Sequence, residues 1–295
     1  MRKVKSAVNL IVTDFASHLG KKIAHNSNFN VLFVEKNHEE ERYFPDGEIY
    51  VRLALEKLSG RTVILHAGGP KPNEGLIELE IILSILKKTN ITPEIFFSYF
   101  PYAMQDKVSR YGETDFVFNA LEKFLRFYKA RKISIIDPHF VIPKNLSLVE
   151  GISVTNLLIQ AAKKDFPDII FLAPDRGSAL RTGLLYLKKK RLDSYRVEFE
   201  IDDALKAKIK GKTVAIVDDI LETGGTLLKI HEHLKAAGAK KIVAIVTHAV
   251  LKEGIEKVRA KFNKLYYTNS VDQSGAAVDI SGLIAANIVN LRKKG

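Results

Sequence analysis

TVAIVDDILETGGTLLK, residues 213–229, decides the fold. The apolar run Val214 to Val217 reads as a buried strand, and a helical pattern starts near Gly225. Between them stand the adjacent carboxylates Asp218 and Asp219 and the small polar run Thr223-Gly224-Gly225-Thr226. A strand feeding a helix through such a turn is the unit of a doubly wound sheet, where ligands bind beyond the carboxyl ends of the strands. Converging backbone N–H groups at a helix start favour an anion, and the threonine hydroxyls add donors. Carboxylates repel a phosphate but accept hydrogen bonds from sugar hydroxyls. A ligand with a phosphate at one end and a diol nearby satisfies both halves, and a pentose 5-phosphate has that shape. The carboxylates are also hard oxygen donors of the kind Mg²⁺ takes. The plainer alternative is a strand, a capped helix and two surface acids.

Outward from this stretch the same alternation continues. Short runs rich in Val, Ile and Phe recur at 8–12, 31–34, 63–66, 95–99, 133–137, 169–173, 196–201, 242–247 and 265–267. Helical patterns fill 76–88, 115–128, 154–164, 225–237 and 254–262. Strands alternating with helices predict an α/β chain with mainly parallel, doubly wound sheets. A boundary near 138–149 separates two similar halves, residues 1–143 and 144–280. A last helix over 281–295 is free to return to the first half.

Composition narrows the classes. The chain has 295 residues, 46% of them hydrophobic, enough for two cores of ordinary domain size. It has no cysteine, which excludes disulfides, thiolate metal sites and a cysteine nucleophile. The apolar run at 8–12 is too short for a signal core, and no run approaches the roughly 20 residues a membrane helix needs. A cytoplasmic protein with no membrane partner is expected. The formal net charge is +12, which fits solvated lysines, phosphate-rich small substrates or nucleic acid. The lysines are spread along the chain with no basic-aromatic RNA-binding motif, so no nucleic-acid partner is expected.

VDDILETGGT at 217–226 resembles the binding loop of the phosphoribosyltransferase superfamily. Other segments narrow the resemblance to the ribose-phosphate diphosphokinase family. RYFPDGEIYVR at 42–52 is similar to that family's nucleotide-recognition loop, and FSYFPYAMQDKVSR at 97–110 to its F-P-Y-A-R-Q-D segment. IIDPHF at 135–140 is similar to its D-L-H motif, and FLAPDRGSALR at 171–181 to its P-D-x-G segment. YLKKKRLDSYRVEF at 186–199 carries a basic cluster where the family has a mobile loop with a Lys-x-Arg pair. SVDQSGAAVDISGLIAANI at 270–288 resembles its terminal segment.

The resemblance implies two similar doubly wound domains of phosphoribosyltransferase type. It implies transfer of the β,γ-diphosphoryl group of Mg-ATP to the anomeric hydroxyl of ribose 5-phosphate, with AMP leaving. Asp218, Asp219, Glu222, Thr223, Gly224, Gly225 and Thr226 are then the ribose-phosphate residues, Glu222 through its backbone only. Phe44, Asp46, Glu48, Met104, Gln105 and His139 make the ATP set, and His139 and Asp175 the Mg²⁺ set. Lys189, Arg191 and His139 are the catalytic set. Position 104 departs from the family, which usually has Arg where this chain has Met. Pro45-Asp46-Gly47 is also a good turn sequence in its own right. In the family the FPDGE loop serves a neighbouring subunit, so a homodimer or larger assembly is expected. Two readings stand beside this one: an inactive regulatory homologue of the same fold, and a phosphoribosyltransferase that consumes the diphosphate.

Overall fold

The structure is a computed structural model and describes residues 8–191 and 197–290; side chains of 189–191 and 197–198 lie outside that description. The chain divides into two compact units. The first runs to Ile152 and takes in Ser270–Asp272 and the segment from Ile280 onward; the second is Ser153–Asn269 with Gln273–Asp279.

In the first unit, β1 (Val8–Val12), β2 (Phe29–Phe33), β3 (Thr62–Ala67), β4 (Glu94–Tyr99), β5 (Lys132–Ile136) and β6 (Val149–Ile152) form one sheet. Its order is β2-β1-β3-β4-β5-β6, with every pairing parallel. Every residue of β1 and β3 is buried, as expected of a sheet covered on both faces. The helices between are α1 (Ser17–Ile23), α2 (Pro72–Lys88) and α3 (Phe116–Glu122). Pro72 opens α2, whose Leu79, Ile82, Leu83 and Leu86 are buried at helical spacing. The division falls after Ile152 rather than at residue 143, because β6 pairs with β5 and completes this sheet.

The second unit continues with α4 (Thr155–Asp165), β7 (Ile170–Ala173), α5 (Arg176–Thr182), β8 (Leu185–Tyr186), β9 (Lys188–Arg191), β10 (Val197–Glu200) and α6 (Asp203–Ile209). Then come β11 (Thr213–Leu221), α7 (Gly225–Ala236), β12 (Lys241–Ala249), α8 (Lys252–Lys261) and β13 (Lys264–Tyr267). The sheet order is β13-β12-β11-β7-β8, again all parallel. Successive β11 side chains point to opposite faces. Val214 and Ile216 join one apolar cluster with Ala244 and Val246, while Ala215 and Val217 join another with Val243 and Ile245. The chain leaves β7 toward β8 on one side and returns through β11 on the other. That reversal makes a switch point between β7 and β11, where such sheets open a crevice.

The expected strand at 196–201 corresponds to β10, but it stays out of the parallel sheet. It pairs antiparallel with β9, which contains the basic cluster, and the register sets Glu200 opposite Lys188. Opposite charges across a ribbon favour that pairing. The last helix, α9 (Ser281–Asn290), belongs to the first unit, where it packs on α1 and Arg61 Nη1 donates to the Ile288 carbonyl at 2.6 Å. Among the described residues no helix is long and apolar enough to cross a membrane.

Candidate functional site

The second unit's site grows from the carboxyl end of β11. The strand runs through both carboxylates to Leu221, so Asp218 and Asp219 are held by strand geometry rather than by a loose turn. The chain then passes through Glu222 and Thr223 to Gly224, which adopts φ +80°. Gly224 is buried, and a side chain there would press Val258 of α8, with Cβ only 3.1 Å from its Cγ2. Glycine alone suits both the left-handed backbone and the space. Gly225 then opens α7, whose start has no side-chain cap. The first-turn N–H groups of a helix have no intrahelical acceptor, and with the helix dipole they suit an anion. Thr223, Gly225 and Thr226 are exposed there.

α8 supports the loop from below. Gly254, in its first turn, lies so close that a Cβ would stand 1.7 Å from the Glu222 carbonyl oxygen and 2.8 Å from its carbon. No side chain fits at that position.

The β7 end brings a third carboxylate. Asp175 caps α5 by accepting from the Ser178 amide at 3.0 Å, and Ser178 Oγ donates to the Val217 carbonyl at 3.4 Å. This ties the α5 start to β11. From α5, Arg181 Nη2 reaches Asp219 Oδ2 at 3.1 Å, with the Asp219 side chain 10% exposed. Asp218 has the opposite balance. It keeps some solvent contact, yet burial raises its proton affinity well above the carboxylate range. The Asp219 charge, a hydrogen bond with Asp219 and the Asp175 charge act in the same direction, against the Asp219 amide, which donates to Asp218 Oδ1 at 3.0 Å.

Among the described residues no group of three or more His, Asp or Glu side chains is arranged to hold a metal by itself. Mg²⁺ does not require one, because it is usually bound by one or two carboxylates together with water and substrate phosphate. Three neighbouring carboxyl groups, with the proton affinity of Asp218 raised by burial and by its neighbours' charge, are a donor set that a divalent cation would relieve. The residues present fit Mg²⁺ in that partial sense.

The first unit carries the other expected residues. Residues 42–50 form a small hairpin: Tyr43 bridges Ile49, the Phe44 amide donates to the Glu48 carbonyl at 2.8 Å, and Gly47 turns at φ +92°. Phe44, Asp46 and Glu48 all lie at its exposed tip, and Phe44 meets Tyr50 edge-to-face at 5.9 Å. Met104 and Gln105 follow β4 and are exposed. His139 follows β5, half-buried, after Asp137 at φ +33° and Pro138. A non-glycine residue in that region is strained, and such strain gathers at functional sites. Gly151 on β6 leaves room for the Pro138 ring, which a Cβ would meet at 3.1 Å. β4 and β5 are parallel neighbours, so Met104, Gln105 and His139 all follow the same edge of that sheet.

The structure therefore gathers Asp175, Asp218, Asp219 and residues 222–226 in one unit, and the hairpin, Met104, Gln105 and His139 in the other. Lys189 and Arg191 lie on β9, and their side chains fall outside the described residues. Arg181 and Gly254 were not legible as site residues. Arg181 meets its partner 38 positions away in sequence, with no local pattern to announce it. Gly254 opens the helical pattern at 254–262, a place where glycine is ordinary, so its packing role left no local signal.

Comparison with known proteins agrees with this geometry. A family model described as the N-terminal domain of ribose phosphate pyrophosphokinase matches residues 8–124, and one described as a phosphoribosyl transferase domain matches residues 180–273. A Pyrococcus abyssi protein named ribose-phosphate pyrophosphokinase is 32% identical over 288 residues, covering 92% of this chain and 95% of that one. Its namesake from Pyrococcus furiosus is 30% identical over 286 residues, covering 92% and 97%. The crystal structure of phosphoribosylpyrophosphate synthetase from Mycobacterium smegmatis matches with a TM-score of 0.79 at 21% identity, covering 98% of this chain and all of that one, which shows the shared fold. By fold, by both family models and by its relatives across nearly the whole chain, this protein belongs to the ribose-phosphate pyrophosphokinase family.

Proposed function

We propose that this protein transfers the β,γ-diphosphoryl group of ATP to the anomeric hydroxyl of ribose 5-phosphate, giving 5-phosphoribosyl 1-diphosphate and AMP. The observation that carries this reading is a carboxylate pair and a glycine-led, uncapped helix start at one sheet switch point. The backbone N–H groups of Glu222 to Thr226 and the threonine hydroxyls take the 5-phosphate. Asp218 and Asp219 accept hydrogen bonds from the ring hydroxyls, with Arg181 fixing Asp219. Asp175, and His139 at its own strand end, take Mg²⁺ or its waters. When bound, Mg²⁺ neutralises charge on the polyphosphate. Phe44 stacks on the base, Asp46 and Glu48 accept from its amino group, and Met104 and Gln105 complete the nucleotide contacts.

The anomeric oxygen attacks the β-phosphorus in line. Its bond to phosphorus forms as the bond to the AMP oxygen breaks, and the hydroxyl proton is released. No covalent enzyme intermediate is needed, so catalysis is positioning and charge neutralisation. Lys189 and Arg191 supply positive charge to the transferring group. The protein acts in the cytoplasm as a homodimer or larger assembly, with no nucleic-acid or membrane partner. A phosphoribosyltransferase that consumes the diphosphate shares the 217–226 loop but has no use for a domain like residues 8–124.

Kinetics of Lys189→Ala test the assignment. Loss of a cation that acts in the transition state raises the barrier behind kcat by on the order of 2–4 kcal/mol with little change in either KM. Wild-type turnover in that variant removes β9 from the chemistry.

A further inference from the structure

The 42–50 hairpin has a structural problem. Most of its residues are exposed, and it pairs with neither main sheet. A lone two-stranded hairpin is marginal in water. Something else must hold it, and the contacts at its base show what does.

Arg42 is the first residue of the hairpin. Its Nη2 meets Glu78 Oε1 of α2 at 2.6 Å, and the Glu78 side chain is only 1% exposed. Both Glu78 oxygens also accept from the Asp14 amide at 3.1 Å. Arg42 Nε stands 3.5 Å from Asp14 Oδ2, and Nη1 donates across the hairpin to the Tyr50 carbonyl. One turn earlier on α2, Glu74 accepts from the Tyr43 hydroxyl at 2.9 Å. Glu74 and Glu78 lie four residues apart, hence on one face of the helix. Two consecutive hairpin residues are clipped to two consecutive turns of α2.

We propose that Arg42 and Glu78 are positioning residues for nucleotide binding, their buried ion pair fixing the base of the 42–50 hairpin on α2. The inference rests on the reading above, in which the tip of this hairpin meets ATP. Burial works against the pair's stability: it pushes the Glu78 carboxyl up to about 7, with the Asp14 charge acting the same way and the Asp14 amide and Arg42 drawing it down. A buried pair that gains little stability is best attested as a device for fixing geometry. The guanidinium of Arg42 donates through Nη2 to a carboxylate on α2 and through Nη1 to a carbonyl on the hairpin's return arm, which sets both position and twist.

The test uses the full chain and two variants. Glu78→Gln keeps the size and removes the charge. Tyr43→Phe removes only an exposed hydroxyl, so it folds whatever happens to the first. Hydrogen exchange is followed at the Phe44, Gly47 and Tyr50 amides, which the hairpin's own carbonyls hold. Exchange there should quicken about tenfold in Glu78→Gln and about threefold in Tyr43→Phe, with β1 and β3 unchanged. The KM for ATP should rise about tenfold in Glu78→Gln, while kcat and the KM for ribose 5-phosphate stay within about twofold. Unchanged hairpin exchange in both variants overturns the clip. Faster exchange with an unchanged ATP KM overturns the positioning role and the nucleotide reading of the hairpin, while leaving the ribose-phosphate loop untouched.

Discussion

Gly254→Ala puts the loop's support under direct strain. The added Cβ would stand 1.7 Å from the Glu222 carbonyl oxygen and 3.2 Å from the Thr223 carbonyl carbon. A comfortable carbon–oxygen approach is about 3.3 Å, so the two backbones must separate by about 1.6 Å. The variant distributes that movement between α8 and the loop at 222–226. Overpacking of this kind costs about 1–3 kcal/mol of stability. The functional cost is larger, because a shift of about 1 Å in a positioning element can lower the rate by on the order of a hundredfold, or about 2.7 kcal/mol. Initial rates with ribose 5-phosphate varied at saturating ATP should show kcat/KM for the sugar phosphate down by about that factor. The KM for ATP should hardly move. Gly282→Ala is the control: its Cβ meets nothing within 4 Å on helix α9, so it should be neutral or slightly stabilising. A Gly254→Ala enzyme with lower Tm but wild-type kinetics for ribose 5-phosphate would refute the reasoning, since α8 would then have yielded without moving the loop.

Two further predictions come from the carboxylates. Arg181→Ala removes the guanidinium that stands 3.1 Å from the shielded Asp219 carboxylate, so stability should fall by about 1–3 kcal/mol and the KM for ribose 5-phosphate rise about tenfold. Thermal melts and kinetics check this, and an unchanged KM would show that Asp219 needs no such partner. Asp218 binds its proton more tightly folded than unfolded, so the stability it contributes is complete below the ordinary carboxylate pKa of about 4 and is lost as pH rises through the raised value. Asp218→Asn should therefore melt progressively higher than wild type as pH climbs from about 4 to about 8, and a constant gap across that range would sink the idea.

The sequence exposed those parts of the molecule whose signals are local. Unbroken apolar runs such as Val214–Val217 of β11 and Val63–Leu65 of β3 announce a parallel sheet because both faces are buried. The glycines at 224 and 225 announce the turn because a left-handed backbone and an open helix start need small residues. Short strands were less visible. β6 (VEGI) breaks its apolar residues with Glu150 and Gly151, and β8 holds only two residues, so neither shows an apolar run. The run Lys188–Arg191 reads as a solvated helix end, and only its partner at 197–200 makes it a strand. Tertiary pairings were silent altogether: Arg42 with Glu78 and Arg181 with Asp219 join residues 36 and 38 positions apart. No local spacing encodes them.

The central claim concerns which bond of ATP is broken. Purified protein should be given ATP, Mg²⁺ and ribose 5-phosphate with no nucleobase, and the products followed by ³¹P NMR. The account predicts AMP and 5-phosphoribosyl 1-diphosphate in equal amounts, formed only when the sugar phosphate is present. ADP as the nucleotide product, or no AMP at all from a folded enzyme, would contradict it.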